Sequence, residues 1–124
     1  MIKLKNNVEK LNTLIKEGKI REAFEKYYGE EVIIYVNGNP PIVGKEQNRK
    51  RETIFLQEIE KLNGAEIKSV TFGLDEDSVS MTEWAIKIED KDGKQKTVYR
   101  VNVQHWKENK IINEKLYFCG DQRF

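Results

Sequence analysis

A chain of 124 residues is long enough for one hydrophobic core and too short for two, so a single domain over 1–124 is expected. Charged residues make up 35% and hydrophobic ones 38%, a lean core under a well-solvated surface, yet more apolar than a disordered chain. With 22 Lys and Arg against 21 Asp and Glu, the formal net charge is +1, and no global field draws the chain to nucleic acid or an anionic membrane.

The single cysteine, Cys119, rules out an internal disulfide and suits a reducing compartment. No run has the apolar length of a signal peptide or a bilayer span, so the cytoplasm is the expected location.

Leu4, Val8, Leu11 and Ile15 recur at helical spacing, and Gly18 follows as a C-cap. A second, short helix puts Ile20, Ala23, Phe24, Tyr27 and Tyr28 on its buried side and ends at Gly29. The β-branched and aromatic run Val32 to Val36 predicts a strand, stopped by Asn37-Gly38-Asn39-Pro40-Pro41. From Lys45 to Leu62 the pattern predicts a third helix with Ile54, Phe55, Ile59 and Leu62 as its stripe. Its first half is almost wholly polar, so only the second half is expected to be well buried. Lys45, Arg49, Lys50 and Arg51 are interleaved with Glu46 and Glu52, which reads as a solvated helix face rather than a nucleic-acid surface.

Strands follow to the end. Ala65 to Leu74 leads to a turn around Asp75-Glu76-Asp77. Ser78 to Glu89 is closed by Asp90-Lys91-Asp92-Gly93, a strong hairpin signal. Gln95 to Lys107 and Lys110 to Cys119 complete the set. Helix, helix, strand, helix and then four strands argue for an α+β fold with helices on one face of a sheet.

The stretch Val101-Asn-Val-Gln-His-Trp106, with Lys110-Ile-Ile-Asn-Glu114 and Leu116-Tyr-Phe118, resembles the last hairpin of SnoaL-like proteins. These belong to the superfamily of nuclear transport factor two and ketosteroid isomerase. Phe24 through Tyr28, Val32 to Val36 and Pro40-Pro-Ile-Val-Gly-Lys-Glu46 are similar to that family's helix, strand and loop into helix three. The resemblance implies a cone-shaped α+β fold. Three N-terminal helices would pack on a curved mixed or antiparallel sheet, with a pocket at the open end. It also implies a homodimer through the outer sheet face and a small hydrophobic or carbonyl-containing ligand. The family holds isomerases, cyclases and dehydratases beside non-catalytic binding modules, so fold alone does not choose among them.

Strand alternation divides Gln95 to Lys107 into a face with Val98, Arg100, Asn102, Gln104 and Trp106 and a face with Thr97, Tyr99, Val101, Val103 and His105. By resemblance to ketosteroid isomerase, Asn102 stands where that enzyme has a pocket-facing acidic residue of its oxyanion hole. That turns the polar face inward and the valines outward; composition alone would choose the reverse. A two-residue turn at Glu108-Asn109 would pair Lys107 with Lys110 and set Glu114 beside Val103 and His105. A three-residue loop with Asn109 left-handed in a bulge shifts the pairing by one and sets Glu114 beside Asn102 and Gln104. The family alignment wants Glu114 inward, which favours the bulged loop.

Arg100, Asn102, Gln104 and Glu114 then form a polar cluster, with Tyr28, Trp84 and Phe118 as further pocket residues. Two readings stay open. Arg100 and Glu114 simply pair, with the amides satisfying what remains. Alternatively, Glu114 is a desolvated carboxylate that moves a proton while Asn102 and Gln104 hold a carbonyl or enolate oxygen. The carboxylate that ketosteroid isomerase carries at the end of its first strand has no counterpart in Ile34-Tyr35-Val36-Asn37. Tyr28 and Tyr35 can supply hydroxyls but fit a core equally well, and Trp84 serves as core anchor, pocket wall or both. A Cys119–His105 dyad across the last hairpin has nothing to mark it as activated. With one His and one Cys, no phosphate-binding glycine loop and no dinucleotide fingerprint, neither a metal nor another cofactor is expected.

Overall fold

The computed structural model describes residues 2–73 and 78–119. The turn expected at Asp75-Glu76-Asp77, and the last residue of the strand before it, lie outside the described residues.

Helix α1 (Ile2–Lys16) forms because its apolar positions fall on one stripe, and Val8, Leu11 and Ile15 are buried there. Gly18, at φ +79°, ends it in a left-handed cap: its N–H reaches the Ile15 carbonyl at 3.0 Å and the Lys19 N–H reaches Leu14 at 2.8 Å. Helix α2 (Ile20–Tyr27) buries Ala23, Phe24 and Tyr27. Tyr28 was expected on this helix but already has extended backbone, φ −95° and ψ 134°, and opens strand β1 (Tyr28–Val36). Its backbone thus belongs to the strand, although its ring still packs against Phe24 of α2. A short edge strand, β2 (Ile42–Val43), pairs antiparallel with β1 in what reads as a Pro-rich loop.

Helix α3 (Lys45–Glu58) departs from expectation at both ends. Its polar first half is the buried half, through Lys45, Asn48 and Glu52, whereas Ile54 is 61% exposed. It also stops four residues short of Leu62, because Ile59 begins strand β3 (Ile59–Phe72). Ile59 pairs with Asp90 and Leu62 with Ile88, while Lys61 pairs with Glu89, so Glu60 is an extra residue that bulges out. The bulge turns Ile59 and Leu62 to the same face despite their odd separation. A bulged strand thus imitates the i, i+3 spacing of a helix.

Strands β4 (Val79–Asp90), β5 (Gln95–Lys107) and β6 (Lys110–Cys119) follow, the last two at the expected bounds. The sheet has six strands in the order β2-β1-β6-β5-β4-β3, with β1 parallel to β6 and every other pairing antiparallel. Three register shifts along β3 bend its pairing with β4. On β5 the face with Val98, Asn102, Gln104 and Trp106 is buried, Arg100 is half-buried, and Tyr99 is 57% exposed, so the polar face does turn inward. The core joins α1 and α2 to that face through Trp84, Ile86, Ile88, Ile111 and Leu116. The architecture is α+β, three helices on a curved six-stranded sheet. Among the described residues, no helix is long and apolar enough to cross a membrane.

Candidate functional site

The last hairpin decides what Glu114 meets. Its turn is the two-residue one: Glu108 and Asn109 both have positive φ, 51° and 67°, and Lys107 pairs with Lys110. Positive φ at both positions is the type I′ arrangement, whose twist matches the flanking strands. The expected three-residue loop with a bulge at Asn109 is therefore not formed. The shift happens two residues later. Trp106 faces Ile111 and His105 faces Asn113, so Ile112 is the extra residue of β6. Beyond it Glu114 stands opposite Gln104, Leu116 opposite Asn102 and Phe118 opposite Arg100. Glu114 reaches the inner face by a different bulge from the one the turn residues suggest.

There Glu114 is 2% exposed and accepts hydrogen bonds on one oxygen from three side chains. The Tyr28 hydroxyl donates to Oε2 at 2.6 Å, Gln104 Nε2 at 2.6 Å and Asn102 Nδ2 at 3.2 Å. Among the described residues, Oε1 has no hydrogen-bond partner. Gln104 is aimed in turn: Ser80 Oγ donates to its Oε1 at 3.4 Å, and Trp106 Nε1 donates to Ser80 Oγ at 3.0 Å. This buried chain turns the Gln104 amide nitrogen towards the carboxylate. Burial, then the neighbouring Glu114, push the Tyr28 hydroxyl well above the usual phenol range, so it stays a donor. Its ring stacks on Phe24 with centroids 5.0 Å apart.

Glu114, Tyr28, Asn102 and Arg100 open onto a cavity of about 80 Å³ between the helices and the sheet. Most of its wall is apolar: Ile15, Ile20, Phe24 and Phe55 from the helices, and Ile34, Ile59, Leu62, Ile86 and Leu116 from the sheet. The first strand gives this wall Tyr28 and Ile34 and no carboxylate. Of the other residues expected to line a pocket, Gln104 stands behind Glu114, Trp84 is 1% exposed within the core, and Phe118 is half-buried opposite Arg100; none of them lines the cavity.

Two charged lining residues were missed, Arg51 and Glu52 of α3. The face read as solvated carries them inward, because helix packing, not composition, decides which side is covered. A signal was present: stepping back from Phe55 by helical intervals gives Glu52, Asn48 and Lys45, one stripe. The three are buried, and Lys45 Nζ donates to the Glu25 carbonyl at 2.9 Å. The rest of the basic run is outside: Arg49 makes a two-pronged pair with Glu25 at 2.7 and 2.9 Å.

Burial raises Glu52 to about 7, against the pull of Arg21, whose Nε lies 3.4 Å away, and of Arg51. Arg100 is pushed below its ordinary value, first by burial, with Glu114 opposing the shift. The Arg100–Glu114 ion pair of one of the two readings is not made at contact distance: among the described residues, neither Arg100 nor Arg51 has a hydrogen-bond or ion-pair partner. The Nε of each is enclosed and unsatisfied, as is Asn102 Oδ1. His105 stands opposite Asn113 and Cys119 opposite Tyr99, so no Cys–His dyad forms. Among the described residues, no cluster of His, Cys, Asp and Glu has the make-up of a metal site.

No family model matches the chain, and no curated protein does. Solved structures do. A candidate SnoaL-like polyketide cyclase from Mesorhizobium loti superposes with a TM-score of 0.73 at 22% identity, over 91% of this chain and 97% of that one. A candidate isomerase from Bacillus subtilis gives 0.77 at 15% identity, over 94% and 86%. A nuclear transport factor two-like protein of unknown function from Burkholderia pseudomallei gives 0.78 at 8% identity, over 98% and 93%. Such identities speak for the fold and not for an activity. Superposed on these structures along nearly its whole length, the chain has the fold of SnoaL-like and nuclear transport factor two-like proteins.

Proposed function

We propose that the cavity, at the open end of the cone, is a small-molecule site in which Glu114 takes a proton from a carbonyl-containing ligand, as an isomerase, cyclase or dehydratase requires. One observation carries the reading: a buried carboxylate in an apolar wall spends one oxygen on three donors and leaves the other unengaged. Fixed donors on Oε2 hold the group in one orientation, and Oε1 is the atom that accepts the proton. The Asn102 amide nitrogen gives one N–H to Oε2 and keeps a second, which can share in holding a developing oxyanion.

The test is proton exchange. Small ketones are incubated with the protein in deuterated water, and loss of their α-proton signals is followed by proton NMR. Exchange by the wild type that vanishes in Glu114→Gln is the expected result. Binding without exchange would leave the second reading, a non-catalytic ligand-binding module. That reading draws on the same contacts: Tyr28, Asn102 and Gln104 also serve simply to satisfy a buried carboxylate.

Two further parts of the proposal concern the whole molecule. The outer sheet face carries exposed Met81, Tyr99 and Tyr117 on three adjacent strands, with half-buried Val101 and Val103 between them. A second copy of the chain, meeting this stripe with its own, would cover it. The free, exposed Cys119 suits the reducing cytoplasm.

A further inference from the structure

The catalytic proposal uses Glu114 and its donors but leaves the cavity's arginines without a task. Arg51 reaches it from α3 and Arg100 from β5, so the two guanidinium groups come from opposite layers to one apolar space. A guanidinium carries five donors and keeps its charge, and a buried one almost always has a carboxylate or carbonyls to receive them. Among the described residues these two have none, and both Nε atoms are enclosed and unsatisfied. Leaving a buried charge unpaired is costly, and a ligand that pairs it recovers the loss.

The fixed charges say which sign is missing. The wall holds Arg51 and Arg100 against Glu52 and Glu114. Glu52, raised to about 7 by burial, carries only part of a charge near neutral pH, and its nearest cation is Arg21, 3.4 Å away and outside the cavity lining. Glu114 is left to balance two cations, so the site is short of one negative charge. Burial pushes the Arg100 guanidinium below its ordinary value, in keeping with a cation that has lost water and gained no anion. Asn102 Oδ1, an acceptor without a donor, adds one more unmet group at the same wall.

We infer that the ligand of this cavity is a small monocarboxylate with an apolar tail, its carboxylate received between Arg51 and Arg100. The tail lies along Phe55, Ile59 and Leu62, and a hydroxyl or protonated oxygen near the carboxylate meets Asn102 Oδ1. A compact cavity of about 80 Å³ with a mostly apolar wall favours a monoanion over a phosphate dianion, which is harder to strip of water. This inference rests on reading the cavity as the ligand site, and it narrows the ligand from any carbonyl compound to a carboxylate.

Titration followed by amide chemical shifts tests it, with butanoate and hexanoate, their primary amides, methyl ketones of matched length, and inorganic phosphate as probes. The carboxylates are expected to shift resonances around Phe55, Ile59 and Leu62 and to bind roughly tenfold tighter than amides or ketones. Arg51→Met and Arg100→Met are each expected to remove that preference while leaving amide and ketone binding in place. Both variants delete an unpaired charge, so their thermal midpoints should match or exceed the wild type; if either fails to fold, the wild-type selectivity alone decides. Ketones or amides that bind as well as carboxylates overturn the inference and leave the cavity reading standing, as does tighter binding of phosphate. If no probe binds, both fall.

Discussion

Gln104 donates to Glu114 at 2.6 Å straight across the β5–β6 ladder, and the two are opposite one another only because Ile112 is an extra residue in β6. Side chains alternate along a strand, so without that residue Glu114 would stand on the outer face opposite Val103 and beside His105. The bulge is therefore what makes a candidate site out of a hairpin. Ile112 itself is exposed. Its contribution is one of spacing and not of contact.

The turn that precedes the bulge is strained in a way that substitution can relieve. Glu108 has φ 51°, a region that costs a non-glycine residue about 1 kcal/mol. Replacing Glu108→Asn together with Asn109→Gly, the preferred type I′ pair, is expected to raise unfolding stability by about 1 kcal/mol. Guanidinium denaturation measures this. A loss of stability would mean the turn is not the one described.

Removing the acceptor at the centre of the cluster should be expensive. Glu114→Ala leaves the Tyr28 hydroxyl and two side-chain amides buried without their partner, at a cost of about 3 kcal/mol. Glu114→Gln keeps one oxygen for those donors and should cost roughly 1 kcal/mol. Urea unfolding of both variants, with exposed Glu31→Ala as the reference, decides it. If Glu114→Ala is as mild as the reference, the cluster is not satisfied in the way described.

Glu52 gives stability a pH dependence of unusual sign. Its folded value, about 7, lies above the unfolded value near 4.5, so the folded state holds the proton more tightly. Stability is then greatest below about pH 4.5 for this group and declines as pH rises through about 7. The decline is on the order of 2 kcal/mol, reduced from the full linkage because solvent at the cavity mouth screens the group. Glu25 and Asp90, whose values are lowered, act oppositely in more acidic solution. Comparing wild type with Glu52→Gln at pH 5 and pH 8 isolates the effect. Equal pH slopes for the two proteins would rule it out.

The proposed interface makes a separate claim. Tyr99→Glu sets a charge in the outer stripe, on the face of β5 opposite the cavity lining. Sedimentation is expected to show the variant as a monomer and the wild type as a dimer, with ligand binding unchanged. A wild type that sediments as a monomer at high concentration removes the interface.

Much of the fold was legible because local patterns were unambiguous. The α1 stripe, the Gly18 cap and the Asp92-Gly93 turn each have one physical solution, and β5 and β6 were bounded by polar residues at both ends. The α3–β3 boundary was not legible, since Ile59 and Leu62 fit a helix turn as well as a bulged strand. Their pairing with β4, far along the chain, made the choice.

By itself the sequence determined most of the element types and the superfamily resemblance, and that resemblance, not composition, gave the inward face of β5. It also showed that Ile34-Tyr35-Val36-Asn37, at the end of the first strand, has no carboxylate, and the resemblance marked Glu114 as the acidic residue to watch. Only the tertiary structure decided that Glu114 arrives through a bulge at Ile112, that its donors are Tyr28, Asn102 and Gln104, and that Arg100 is not its partner. Only the packing of α3 turned Arg51 and Glu52 into the cavity. The reason is the same in each case. A helix stripe or a strand alternation is written in neighbouring residues, whereas register and burial are set by residues far away in the chain, and a shift of one residue reverses which side chains meet.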